Sequence, residues 1–330
     1  MNSYLNDFSN YLDLYMNSYF NMTEKLVKNV IDYNSNVLTL LFGINSHSEK
    51  DFCFPHGENI QNEDLTYHYL IYGEEGKRPI IFLHGILLNS TIWHNHCTHF
   101  SKENSVYSID FLGHGCSTKK RDLNMEDLVE ELRFFIEAKK LEDPIIVGHS
   151  LGGLVAGCFA ALYPEKVDKL IILSTVDYDS FNKNIFNKIT AFNLNFINEC
   201  YLNPFTLPLI TQMLESLIFN KIPSSTRYDE IHFMMYHLKI KGMTESLLSL
   251  MKSYEIKNFA SDKYRNIKSP TLIIHGNSDR LINYWNGQTL HNNIPNSKLR
   301  IINRGAHMII LENKHEIDKI IEEFINKSDK

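Results

Sequence analysis

Ser150, Asp279 and His307 are side chains of the types that together perform acyl transfer, and each stands where a strand should end. Ser150 centres the pentapeptide Gly148-His149-Ser150-Leu151-Gly152. The apolar run Pro144-Ile145-Ile146-Val147 before it reads as a short buried strand. Leu154 to Leu162 after it, rich in alanine and other small residues, reads as a buried helix. A serine on such a strand-to-helix turn takes a strained backbone, so the residues two before and two after must lack side chains that would clash. The turn lifts the hydroxyl above the sheet edge and aims the free amides of the following helix at developing negative charge.

A serine hydroxyl is a poor nucleophile at neutral pH and needs a base, and the base needs an orienting carboxylate. Thr271-Leu272-Ile273-Ile274-His275-Gly276 is an apolar strand leaving Pro270, and Asp279 follows it in the loop Asn277-Ser278-Asp279. Lys298 to Ile302 is a further strand, followed by Gly305-Ala306-His307. Both residues thus fall just past the C-terminal end of a parallel strand, the edge where open α/β sheets place their ligands. Taken singly, Asp279 could cap a helix starting at Tyr284 and His307 could be an ordinary loop histidine. The order serine, acid, histidine, each in this context, favours the triad.

With these residues in place, the chain from about 64 to 328 resembles the α/β-hydrolase superfamily, in the esterase and lipase branch that carries a cap domain. Ile80-Ile81-Phe82-Leu83-His84-Gly85 resembles the strand that leads to the oxyanion loop, and Asp110-Phe111-Leu112-Gly113-His114-Gly115-Cys116-Ser117 resembles the family's D-x-x-G-x-G-x-S turn. Tyr163-Pro164-Glu165-Lys166-Val167 and Leu170-Ile171-Ile172-Leu173 resemble the passage from the nucleophile helix into the next strand. The resemblance implies Ser150 as nucleophile, His307 as base, Asp279 as orienting acid, and the backbone amides of Ile86 and Leu151 as the oxyanion hole. It disfavours haloalkane dehalogenases and epoxide hydrolases, which place an aspartate where Ser150 stands, and polyester synthases and dienelactone hydrolases, which place a cysteine there. It calls for no cofactor and no metal.

The rest of the chain is compatible with this. Its 330 residues, 43% hydrophobic, can bury one large core with room for an insertion. The net charge of −6 argues against nucleic acid as a partner, and the one basic cluster, Lys119-Lys120-Arg121, reads as a solvated loop. No apolar run reaches the length of a membrane span, and no charged start precedes an apolar stretch. Cys53, Cys97, Cys116, Cys158 and Cys200 are five cysteines without paired spacing, which suits free thiols in a reducing compartment and a cytoplasmic location.

The expected organisation has four parts. Residues 1–44 carry apolar positions at alternating intervals of three and four, from Leu5 to Leu40, and read as an amphipathic helical segment. Such a seam could pack on the body, self-associate or touch a lipid surface. Residues 45–63 read as an irregular linker. Residues 64–176 and 262–330 form the α/β core, a mostly parallel sheet flanked by helices. Its expected strands include 65–72, 80–83 and 106–110, and its helices 91–101, 125–138 and 315–325. Residues 177–261 interrupt that alternation with Phe181, Phe186, Phe192, Phe196, Phe219, Phe233 and other aromatics, and read as a helical cap. An apolar cap over a polar triad favours a substrate with a hydrophobic arm.

His94, His96, Cys97 and His99 lie close in sequence, yet on a helix they do not share one face, and a solvated helix explains them better than zinc. His84, His114 and His149 read as hydrogen-bonding organisers of loops, and His232 and His237 as part of an ordinary helix face. The chemistry expected is cleavage of a carboxylic ester with an apolar part through an acyl-enzyme. The same triad serves carbon–carbon bond hydrolases and thioesterases, and a ligand-binding receptor on this scaffold could also keep it.

Overall fold

The computed structural model of the chain describes residues 57–180, 216, 218–220, 240, 242–252, 256–257 and 259–327. The expected N-terminal segment 1–44, most of the cap, and His232 and His237 lie outside these residues. The described strands are β1 (Glu58–Asn62), β2 (Leu65–Tyr72), β3 (Pro79–Leu83), β4 (Ser105–Ile109), β5 (Ile145–His149), β6 (Lys169–Leu173), β7 (Thr271–Gly276) and β8 (Ser297–Ile302). They form one eight-stranded sheet in the order β1-β2-β4-β3-β5-β6-β7-β8. β1 and β2 run antiparallel to their neighbours, and every other pair is parallel.

β1 lies inside the stretch expected to be an irregular linker. Apart from the half-buried Ile60 its residues are polar and mostly exposed, so the apolar signal is too thin to read; its pairing with β2, from Glu58 opposite Tyr69 to Asn62 opposite Leu65, makes it a strand. An edge hairpin needs little burial of its own when a longer, buried strand supplies the ladder.

The inner strands are apolar at nearly every position because both faces are covered. In β3, Ile81 and Leu83 enter one core and Ile80 and Phe82 the other; in β6, Leu170 and Ile172 part from Ile171 and Leu173 in the same way. The first core is closed by helices α1 (Met125–Ala138), α2 (Leu151–Leu162) and α3 (Trp285–Asn293). The second is closed by the short helix His94–Phe100 and by α4 (Lys314–Ile325). A capping box starts α1: the Asn124 side chain accepts from Asp127 N at 3.0 Å and Asp127 accepts from Asn124 N at 2.9 Å. The C-terminal end of α4 is held by buried Lys169, whose Nζ donates to the carbonyl of Lys327 at 2.7 Å, and by Arg78 Nη1 donating to the Ile325 carbonyl at 3.0 Å.

The helix expected over 91–101 begins instead as a 3₁₀ turn, Ser90–Trp93, and it is not a solvated helix. His96 and Cys97 are buried. His96 Nδ1 is bonded to the Asp318 carboxylate of α4, and its Nε2 donates to the Ile310 carbonyl at 2.8 Å. The buried histidine therefore pins two segments more than two hundred residues apart, and both its ring nitrogens are in use.

Cys97 and Cys158 are free and buried, but Cys116 is disulfide-bonded, against the expectation of five free thiols. A bonded cysteine runs against the cysteine argument for a reducing compartment. Among the described residues, no helix is long and apolar enough to cross a membrane.

Glu131 on α1 is a buried acid in this frame. Its Oε2 accepts from Leu112 N at 2.9 Å, while Oε1 has no partner. Burial raises its carboxyl well above the usual range. Both folded and unfolded chains are protonated below the ordinary carboxylate range, so the penalty is absent there and grows as pH rises toward the folded value. Glu131→Gln should therefore match wild type near pH 4 and melt higher at pH 8, the gap widening by up to about 1.4 kcal/mol per pH unit across that window. Thermal melts at the two pH values check this; a wild type that is the more stable at pH 8 refutes it.

Candidate active site

Strand β5 runs to His149 and α2 starts at Leu151, which leaves Ser150 alone on the turn. Its backbone has φ 53° and ψ −116°, a conformation that costs about 1–3 kcal/mol in a residue with a side chain. The flanking glycines permit it. A Cβ on Gly148 would lie 2.3 Å from the Gly152 carbonyl oxygen, and one on Gly152 would lie 2.3 Å from that of Leu83. The bend is held by Ser150 N donating to the Leu173 carbonyl at 2.9 Å and by the Thr175 hydroxyl donating to the Ser150 carbonyl at 2.5 Å.

The structure brings Ser150, His307 and Asp279 into one line across 157 and 28 residues of sequence. His307 Nδ1 lies 2.9 Å from Asp279 Oδ2, and His307 Nε2 lies 3.1 Å from Ser150 Oγ. A carboxylate only accepts, so the ring proton sits on Nδ1, and Nε2 is left free to accept from the serine hydroxyl. All three residues are buried.

The loops that carry the acid and the histidine are tied to each other. Asn277 N donates to the Ile302 carbonyl at 3.1 Å, Ser278 N to the Gly305 carbonyl at 2.9 Å, and Arg304 N to Asn277 Oδ1 at 2.7 Å. Asp279 does not cap the helix after it, which begins only at Trp285. Its Oδ1 accepts from Leu281 N at 2.9 Å and Ile282 N at 2.7 Å, leaving Oδ2 for the histidines. Burial alone would raise this carboxyl, but the nearby His307 and the hydrogen bonds from His275 and His307 outweigh it and hold the group well below the usual carboxylate range.

Asp177, the other acid that follows a parallel strand nearby, faces elsewhere. Its Oδ1 accepts from Asp179 N, Ser180 N and the Ser261 hydroxyl at 3.0, 3.3 and 2.6 Å. That makes it the opening of a helical turn, not a partner of the histidine.

Around the triad, the other motif histidines act through hydrogen bonds. His149 Nε2 donates to the His307 carbonyl at 2.9 Å and so couples the serine turn to the histidine loop. Burial, then the neighbouring His307, pushes its imidazole down to about 3, so it stays neutral. His84 Nε2 accepts from Phe111 N at 3.1 Å while Nδ1 donates to the Gly85 carbonyl at 2.7 Å.

Gly85 passes close to the serine: a Cβ there would stand 3.1 Å from Ser150 Cβ. The loop then turns, closed by Leu88 N donating to the Gly85 carbonyl at 3.2 Å, with Leu87 in the left-handed region at φ 64°. Among the described residues, the amides of Ile86 and Leu151 donate to no acceptor. The Leu151 amide is a first-turn helix amide, which has no partner inside its own helix. Ile86 and Leu87 pack under Ile240, Met243 and Leu247, the last two on the helix Met243–Lys252.

His68, Asp110 and Cys116 bring three potential ligand atoms together. The Asp110 oxygens are already engaged by Ser90 N at 2.6 Å, Cys116 N at 2.8 Å and His68 Nδ1 at 2.8 Å, and Cys116 is disulfide-bonded. This donor set fastens the turn at Asp110–Ser117 to β2 and is not laid out for a metal.

A family model described as the alpha/beta hydrolase fold matches residues 78–314. The bovine (Bos taurus) monoacylglycerol lipase ABHD6 is 25% identical over 276 residues, covering 81% of each chain. Epoxide hydrolase 1 of Caenorhabditis elegans is 26% identical over 291 residues, covering 81% of this chain and 70% of that one. Among solved structures, an esterase from Exiguobacterium antarcticum superposes with a TM-score of 0.68 at 18% identity, covering 82% of this chain and all of that one.

Proposed function

Because the chain belongs to the alpha/beta hydrolase family, we propose that its Ser150–His307–Asp279 line is a catalytic triad that cleaves carboxylic esters bearing an apolar acyl or alkyl part. That hydrogen-bonded line is the observation that carries the reading. His307 Nε2 takes the proton as Ser150 Oγ attacks the ester carbonyl, and Asp279 stabilises the imidazolium that forms. The amides of Leu151 and Ile86 hold the oxyanion. His307 then protonates the leaving alcohol, and water, activated by the same ring, releases the acid.

One relative is named an epoxide hydrolase and another a monoacylglycerol lipase. The serine decides between these chemistries, since the resemblance places an aspartate at this position in epoxide hydrolases. The apolar arm is supported by Ile240, Met243 and Leu247, which lie on the loop next to the serine and expose no charge to it. Residues 177–261 are proposed as the cap that carries this wall. Residues 1–44 are proposed, on their spacing alone, as a self-association or lipid-contact segment.

Hydrolysis of p-nitrophenyl esters from acetate to palmitate by the full chain tests the reading. Turnover that climbs from acetate to an optimum at a longer acyl chain is expected. A maximum at acetate would remove the apolar arm, and no turnover at any length in folded protein would overturn the esterase assignment in favour of carbon–carbon cleavage or ligand reception.

A further inference from the structure

The triad acid has a second histidine. His275, the penultimate residue of β7, is fully buried, and its Nε2 lies 3.4 Å from Asp279 Oδ2, the same oxygen that faces His307. That nitrogen also lies 2.9 Å from the Ile282 carbonyl. A carbonyl can only accept, so Nε2 carries the hydrogen, which goes to the Ile282 carbonyl and lends its partial positive charge to the carboxylate oxygen beside it. The other ring nitrogen, Nδ1, is buried without a partner and rests against Gly287 of α3, where a Cβ would come within 3.1 Å. The ring is therefore held with its donor on the Ile282 carbonyl and Asp279 Oδ2 close beside it. With the two amides on Oδ1, the carboxylate faces four N–H groups and almost no water.

We infer that His275 is a positioning residue of the triad: its Nε2–H shares the charge of Asp279 Oδ2 with His307 and fixes how strongly the acid holds the base. The inference rests on the triad reading and adds to it a member that touches neither substrate nor nucleophile. The titratable groups that bear on Asp279 are His307 and His275, with His149 behind His307. Removing the His275 donor leaves Oδ2 with a single histidine partner. Its bond to His307 Nδ1–H tightens, and the protonated form of His307 gains stability relative to the neutral form that catalysis requires.

The test uses the full chain with His275 replaced by Phe, Asn or Gln. Phe keeps the bulk without a donor. Asn places its amide where Nδ1 was, short of Asp279, and serves if Phe disturbs folding. Gln returns an N–H near the position of Nε2. Two quantities are read: the acid limb of kcat/KM on p-nitrophenyl esters, and the His307 Nδ1–H resonance in ¹⁵N-histidine-labelled protein. With Phe or Asn the limb moves to higher pH by about half a unit to one unit and the resonance moves downfield, while Gln returns both toward wild type. A loss of activity at every pH with limb and resonance unmoved would show a merely structural histidine and overturn the inference. The resonance needs no turnover. If the ester reading fails because Ser150→Ala leaves hydrolysis intact, the fate of His275 is still decided by the spectrum.

Discussion

Replacing Ser150 by alanine lowers kcat on the best p-nitrophenyl ester by about 10⁴ to 10⁶-fold, provided chemistry limits the rate. The loss removes the atom proposed to form the acyl bond, and no neighbouring group can substitute at the same distance from His307 Nε2. The fold survives, because alanine keeps the Cβ and therefore meets the same backbone constraint at φ 53° that serine already meets. Only the hydrogen bond to His307 is lost, which changes stability by roughly 1 kcal/mol or less. The residual rate is expected to report what the proposed oxyanion amides of Leu151 and Ile86 do alone. Side-by-side kinetics and melting curves check both halves. Retained turnover, with contaminating esterase removed, would dismiss Ser150 as nucleophile.

Asp279→Asn is the second large effect, about 10⁴-fold in kcat with little change in fold. Two backbone amides, Leu281 N and Ile282 N, donate to Oδ1, so the asparagine oxygen is drawn there and its NH₂ turns to where Oδ2 stood. His307 Nδ1 then meets a donor and must give up its proton, which moves to Nε2, the nitrogen that should accept from Ser150. The ring stays in place in the wrong tautomer. His275 Nε2–H, 3.4 Å from Oδ2, keeps the Ile282 carbonyl as its acceptor but loses the neighbouring negative charge. A decrease of less than tenfold would mean that another acid orients the base, and Asp177, whose Oδ1 accepts from Asp179 N, Ser180 N and the Ser261 hydroxyl, is turned to its own helical turn.

Strand and helix positions were legible to within a few residues because the signal is local. Runs such as Ile80–Leu83 and Leu170–Leu173 are apolar enough to be buried on both faces, and the small residues of Leu151–Leu162 suit a helix that the structure buries almost completely. β1 was missed because an edge strand with a single apolar residue, Ile60, exposes most of itself and owes its form to the ladder with β2. The burial of His96 was missed for a related reason: its partner, Asp318, is 222 residues away and carries no pattern that distinguishes it from a surface acid.

The sequence by itself determined the parallel α/β architecture, the serine turn with its two glycines, and the order of serine, acid and histidine. Those features depend on which residues avoid water and which tolerate a strained turn, and both properties are written in short windows. The sequence picked out Asp279 by its order and its place after a strand; the tertiary structure supplied the contact by which it meets His307. Asp177 and Asp279 both follow parallel strands, but the loop after β7 is bonded to the loop after β8, where His307 sits, whereas Asp177 is spent on its own turn. The tertiary structure alone decided that His275 shares Asp279, that Glu131 is buried with one oxygen unpaired, and that Cys116 is bonded. A charged or polar side chain carries the same letter whether it faces solvent or a partner across the sheet, and only the packing of strands far apart in the chain settles which of the two it faces.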